Sequence, residues 1–174
     1  MGKRLLKHPL ALLAIGLCAG ALARWMDIYT QNLGDVFSKV AVWILIGTCI
    51  AVYSRSPGRA AVNTLLFCLG MLAAYYAVAM LTHGVYSWRY ILGWTAFALC
   101  APLLAMLTWL SGRRDALGMV LRVGIVAVSV LSSVLLFGGF GLDDLIIDGG
   151  LVCLLFFTDA HRDGDGGRSR SGRG

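Results

Sequence analysis

The chain contains no glutamate. Its acidic residues are nine aspartates, set against fifteen lysines and arginines, and charged residues make up only 14% of the 174 positions. A soluble domain carries about a quarter charged residues, so an ordinary water-facing surface is excluded. The five cysteines, Cys18, Cys49, Cys68, Cys100 and Cys153, include no C-x-x-C pair, and all fall inside apolar runs. That excludes a disulfide framework, which needs paired cysteines in an oxidising aqueous space, and a thiolate metal site with its close ligand spacing. They read as small apolar packing residues. The histidines, His8, His83 and His161, stand far apart in loops or ends. No P-loop, G-x-S-x-G or zinc signature is present, and neither a metal nor a cofactor is expected.

What the chain has is apolar length. Hydrophobic residues make up 59% and the mean hydropathy is +0.79. A chain this short has too little interior to bury that much apolar side chain. The composition therefore indicates an all-α polytopic membrane bundle in contact with lipid. Apolar runs cover residues 9–26, 36–53, 60–81, 90–110, 117–137 and 142–158. At 1.5 Å per residue, a hydrocarbon core of about 30 Å needs about 20 residues. Five runs meet that comfortably; the sixth is marginal because it admits Asp143, Asp144 and Asp148. Six transmembrane helices are expected within one domain, residues 1–160. Residues 161–174 hold no apolar side chain beyond the last span and read as a disordered basic tail.

Charge sets the orientation. With the N-terminus in the cytoplasm, the inside segments hold twelve lysines and arginines and the outside segments three: Arg24, Lys39 and Arg89. This is a strong positive-inside bias, and it places both termini in the cytoplasm, in the inner membrane. The same bias accounts for the pI near 9.3, so nucleic acid is not an expected partner. Residues 1–23 also read as a secretory signal, with a basic start and Ala21-Leu22-Ala23 as an A-x-A site. Cleavage would leave five spans with unchanged topology; a retained first helix is the preferred reading. A lipoprotein signal fits less well, because Leu17 precedes Cys18. Trp25, Tyr29, Tyr53, Tyr86, Trp88, Tyr90 and Trp109 fall near span ends, as an aromatic belt would.

Two patterns bear on function. The first is polar and on the outer side. Arg24 and Asp27 close the first span, Asp35 and Lys39 are four apart in the favourable acid-first order, Arg89 opens the fourth span, and Asp144 and Asp148 share a face of the last. Charges in apolar segments usually face a bundle interior or a watery cavity. Asp148 is the deepest and is expected to need Arg24 or Lys39 as a partner. Together Arg24, Asp27, Lys39, Arg89, Asp144 and Asp148 are the candidate site for a small solute; the alternative is a set of structural ion pairs and anchors. The second pattern is a small-residue face on the first helix, Gly16, Ala19, Gly20 and Ala23, with a counterpart at Gly70, Ala73, Ala74 and Ala77. Such faces let helix backbones approach closely, within this bundle or against a partner membrane protein. Asn63 is expected in an interhelical hydrogen bond, and Arg122 is expected to snorkel to the cytoplasmic interface with no further role. Trp43 and Trp94 read as core residues that could also line a cavity.

Asp143-Asp144-Leu145-Ile146-Ile147-Asp148 resembles the aspartate-rich motifs of prenyl-transferring enzymes, but the spacing differs by one residue and no second such segment exists. An enzyme is therefore not expected. Six spans in 174 residues, both ends inside, and Ala19-Gly20-Ala21-Leu22-Ala23 on the first helix resemble the substrate-binding S component of energy-coupling-factor vitamin transporters. That resemblance implies docking of the first helix on a coupling subunit and solute capture on the outer side. Arg24 through Asp27, Asn63 and the run from Gly70 to Tyr76 are also similar to small bacterial integral membrane proteins of unassigned activity. The expectation is a small-solute binding or transport component; the alternative is a non-catalytic accessory protein that packs against a larger membrane complex.

Overall fold

The computed structural model describes residues 9–30, 39–82, 88–137 and 141–157. Within them the chain is all-α: α1 (Pro9–Tyr29), α2 (Val40–Val52), α3 (Pro57–Leu81), α4 (Trp88–Leu110), α5 (Ala116–Phe137) and α6 (Leu142–Phe157). Four are long and apolar enough to cross a membrane: α1, α3, and α4 and α5 over Ile91–Leu110 and Ala116–Leu135. In hydrocarbon every backbone N–H and C=O must be satisfied within the segment, which a helix does and an irregular chain does not. The other two are shorter. α2 has 13 residues and α6 has 16, about 20 and 24 Å at 1.5 Å per residue. Of the run expected over 36–53, Val40–Val52 is helical, with Lys39 in extended backbone as the N-cap (φ −73°, ψ 131°), and residues 36–38 lie outside the described residues. Asp35, the three histidines and the basic tail lie outside the described residues.

Short, well-capped turns join α2 to α3 and α4 to α5. Ser56 caps α3 by accepting from Arg59 N (3.3 Å), with Pro57 in the first helical turn, where its missing N–H is harmless. Asp115 caps α5 by accepting from Gly118 N (3.1 Å). The two turns meet: Trp109 Nε1 donates to the Ser54 carbonyl (3.1 Å), and Asn63 Nδ2 donates to Ser54 Oγ (3.3 Å). Arg55, Arg59, Arg113 and Arg114 therefore collect at one end of the bundle. Arg122 does more there than snorkel. Its guanidinium donates to the Ser111 and Arg113 carbonyls (2.9 and 3.3 Å) and lies over the Phe156 ring, so it satisfies carbonyls beyond the C-terminus of α4 that the helix itself leaves open.

α1 packs chiefly on α3, while α6 packs on α2 and α5. The α1–α3 seam is made by glycine. A Cβ at Gly16 would collide with the Phe67 carbonyl, one at Gly20 with the Met71 carbonyl, and one at Gly70 would sit 2.6 Å from the Leu13 carbonyl oxygen. Backbone lies directly on backbone, and Ala23 continues the buried stripe. The core continues through Phe67, Met71, Trp43 and Ala98, with Trp94 edge-on to Trp43 at 6.5 Å.

Candidate functional site

The candidate polar residues form two groups rather than one pocket. Their helices decide this, because α1 packs on α3 and α6 packs on the opposite side of the sequence order, on α2 and α5. In the first group Asp27 Oδ2 accepts from Arg24 (3.3 Å) and from the Tyr75 hydroxyl (2.6 Å). The Arg24 guanidinium lies 5.8 Å from the Tyr75 ring centroid, and its Nε is buried without a hydrogen-bond partner. The group ties the end of α1 to α3.

The second group joins three elements. Lys39 Nζ, at the entry to α2, meets Asp143 at 2.5 Å and Asp144 at 2.7 Å. Asp144 Oδ2 also accepts from Gly141 N (2.9 Å), the reach-back of a capping box that fixes the start of α6. One turn deeper, Asp148 Oδ1 accepts from Ser129 Oγ at 2.5 Å. The partner expected for Asp148 was Arg24 or Lys39; the structure supplies Ser129, because Arg24 is held by Asp27 and Lys39 by the first-turn carboxylates. Ser133, one turn from Ser129, lies beside Asp144.

The α5–α6 seam is therefore a ladder of two serines facing two aspartates, every one of them at most 5% exposed. It is not internally satisfied. Asp148 Oδ2 is buried without a hydrogen-bond partner, while Asp144 Oδ1 and Ser133 Oγ have no other partner than each other's side chain. A buried polar atom left unpaired costs about 1–3 kcal/mol, more if charged, so the free Asp148 oxygen leaves a place for a further donor. Arg89 is exposed on the first turn of α4, and Gly16, Gly20 and Ala23 are buried against α3.

Sequence reasoning did not single out Ser129, Ser133 or Tyr75. A signal for the serines exists: they are four apart on α5, as Asp144 and Asp148 are on α6, and matching i, i+4 polar pairs on two apolar helices can form one stripe each. Among the described residues no group of three or more His, Cys or Asp side chains is placed to hold a metal ion.

A second feature lies in the other half of the bundle. α2, α3, α4 and α5 enclose an apolar cavity of about 340 Å³. Its floor includes Trp43, Thr64, Cys68 and Ala105, all buried, and it reaches the surface between α4 and α5 at the exposed Leu107 and Val120. No charged side chain lines it.

No family model, curated protein or solved structure matches the chain.

Proposed function

We propose that the protein is a small-solute binding or transport component of the cytoplasmic membrane, with all six helices crossing and both termini inside. The charge count of twelve against three supports this orientation. So does the gathering at one end of turns 53–56 and 111–115, with Arg55, Arg113 and Arg114, next to Arg59 in the first turn of α3.

The site is the Lys39–Asp143–Asp144–Asp148 cluster with Ser129 and Ser133. The observation that carries this reading is the buried, unpaired Asp148 oxygen one turn below Asp144 in the α5–α6 seam. Asp143 and Asp144 share the Lys39 ammonium while Asp148, one turn deeper, is met by a serine hydroxyl and no cation, and an excess of negative charge at membrane depth is expensive. Such a cluster favours a protonated amine, whose N–H groups would pair with the oxygen that the protein leaves open. Entry of a positive group relieves the repulsion, and its departure restores it, which suits reversible capture. The chain carries no nucleotide-binding motif, so inward release would draw on a partner or an ion gradient. An accessory role through the small-residue face of α1 is less well supported, because α3 occupies that face.

Native mass spectrometry of the protein extracted from its own membrane tests the reading. The wild type is expected to carry one amine solute per chain, and Asp148→Asn to lose it while remaining folded. A chain that carries lipid only, or identical adducts on both forms, overturns the assignment.

A further inference from the structure

The cavity between α4 and α5 is independent of the polar seam and has the opposite chemistry. Its volume, about 340 Å³, falls in the range of about 300–1,000 Å³ typical of ligand pockets. For scale, an apolar cavity of about 150 Å³ holds benzene. Small residues create the space: Gly47 on α2, Ala101 and Ala105 on α4, and Gly124 on α5. A Cβ at Gly124 would meet nothing within 4 Å. A charged solute would lose its water there and meet no opposite charge, only the hydroxyls of Thr48, Thr64 and Thr108, of which Thr64 Oγ1 is buried without a partner; hydrocarbon would lose nothing. The mouth lies between two helices whose surfaces are apolar and exposed, at Leu104, Leu107, Val120 and Val128, so the bilayer itself supplies the occupant.

The position of the cavity specifies a headgroup. Thr108 and Val120, at its lower end, lie one turn from turn 111–115. That turn carries Arg113 and Arg114 against Asp115 alone, and both arginines are exposed. We propose that the crevice between α4 and α5 is a site for one acyl chain of an anionic phospholipid, with the phosphate of that lipid held at the arginines of turn 111–115. A phospholipid fits better than a free lipophile because apolar volume and positive charge lie end to end, as tail and phosphate do.

Trp43 lines the cavity and serves as the reporter. The full chain would be placed in phosphatidylcholine bilayers containing a minor share of lipid brominated in mid-chain, either phosphatidylglycerol or phosphatidylcholine. The signal of Trp43 is the difference between the wild type and Trp43→Phe. Brominated phosphatidylglycerol is expected to quench that signal at much lower content than brominated phosphatidylcholine, by about fivefold for each arginine engaged. Arg113→Gln with Arg114→Gln should remove the preference without changing the fold, and Gly124→Leu, which fills the cavity, should remove the quenching. Equal quenching by the two lipids overturns the headgroup assignment. Absence of quenching overturns the site. Preferential quenching by a brominated free fatty acid reassigns the cavity to a single-chain lipophile and overturns the proposal.

Discussion

The α1–α3 and α5–α6 seams use the same spacing to opposite ends. Each is built on a pair of small residues four apart, Gly16 and Gly20 in one, Ser129 and Ser133 in the other. Glycine removes the side chain altogether, so α1 rests on the backbone of α3 and the contact is dispersion and shape. Serine keeps a hydroxyl, so α5 meets α6 through polar atoms, one of which has no partner. The glycine contact of the first seam leaves no polar atom open, Arg24 Nε lying beyond it at the end of α1; the second leaves a carboxylate oxygen open within the contact itself. On the function proposed above, stability and solute binding fall to different helix pairs.

The largest effect is expected from the glycine seam. Gly20→Leu should prevent α1 from seating, a loss of about 3 kcal/mol or more, read as unfolding at lower denaturant in bilayer or micelle. Gly124→Ala, where a Cβ has room, should be neutral or stabilising by up to about 1 kcal/mol. Equal losses at the two positions would show that glycine as such, rather than close approach, matters.

Next comes Lys39→Met. Asp144 is fully buried while Lys39 and Asp143 are partly solvated, so the loss should be about 2 kcal/mol, between a surface pair and a fully buried one. Adding Asp144→Asn should recover most of it in a double-mutant cycle.

Asp148→Asn sharpens the contrast between the seams. The amide oxygen can still accept from Ser129, so stability should remain within about 1 kcal/mol of the wild type while the solute is lost. A large loss of stability instead would make the α5–α6 ladder structural.

The smallest effect belongs to a turn outside both seams. The Gly118 N–H donated to its carboxylate, with Arg113 Nε beside it at 2.9 Å, holds the Asp115 carboxyl below the usual range. A carboxyl depressed by folding stabilises above its unfolded-state value, and that contribution fades as pH falls through the lower folded-state one. Asp115→Ala should therefore lower Tm slightly at neutral pH, and the difference from wild type should vanish well below about pH 4.

The four long apolar helices could be read from the sequence because membrane-spanning length is a local property, a count of apolar residues against bilayer thickness. The caps at Ser56 and Asp115 were equally local, set by residue type at a turn. Partners were not. Asp148 lies within reach of several cations by depth alone, and only the placement of α6 against α5 hands it to Ser129. Tyr75 looked like one aromatic in an apolar run until α1 brought Asp27 to it. Arg122, read as a snorkelling side chain, proved to serve carbonyls in the preceding turn.

By itself the sequence determined that this chain is helical and apolar, which stretches can cross a membrane, and which turns gather positive charge, since each follows from composition along a short segment. Only the tertiary structure decided that the expected pocket divides in two, that the small face of α1 is spent on α3, and that an apolar crevice opens between α4 and α5. These depend on which helices become neighbours, and that choice is made by the fit of side chains from distant segments.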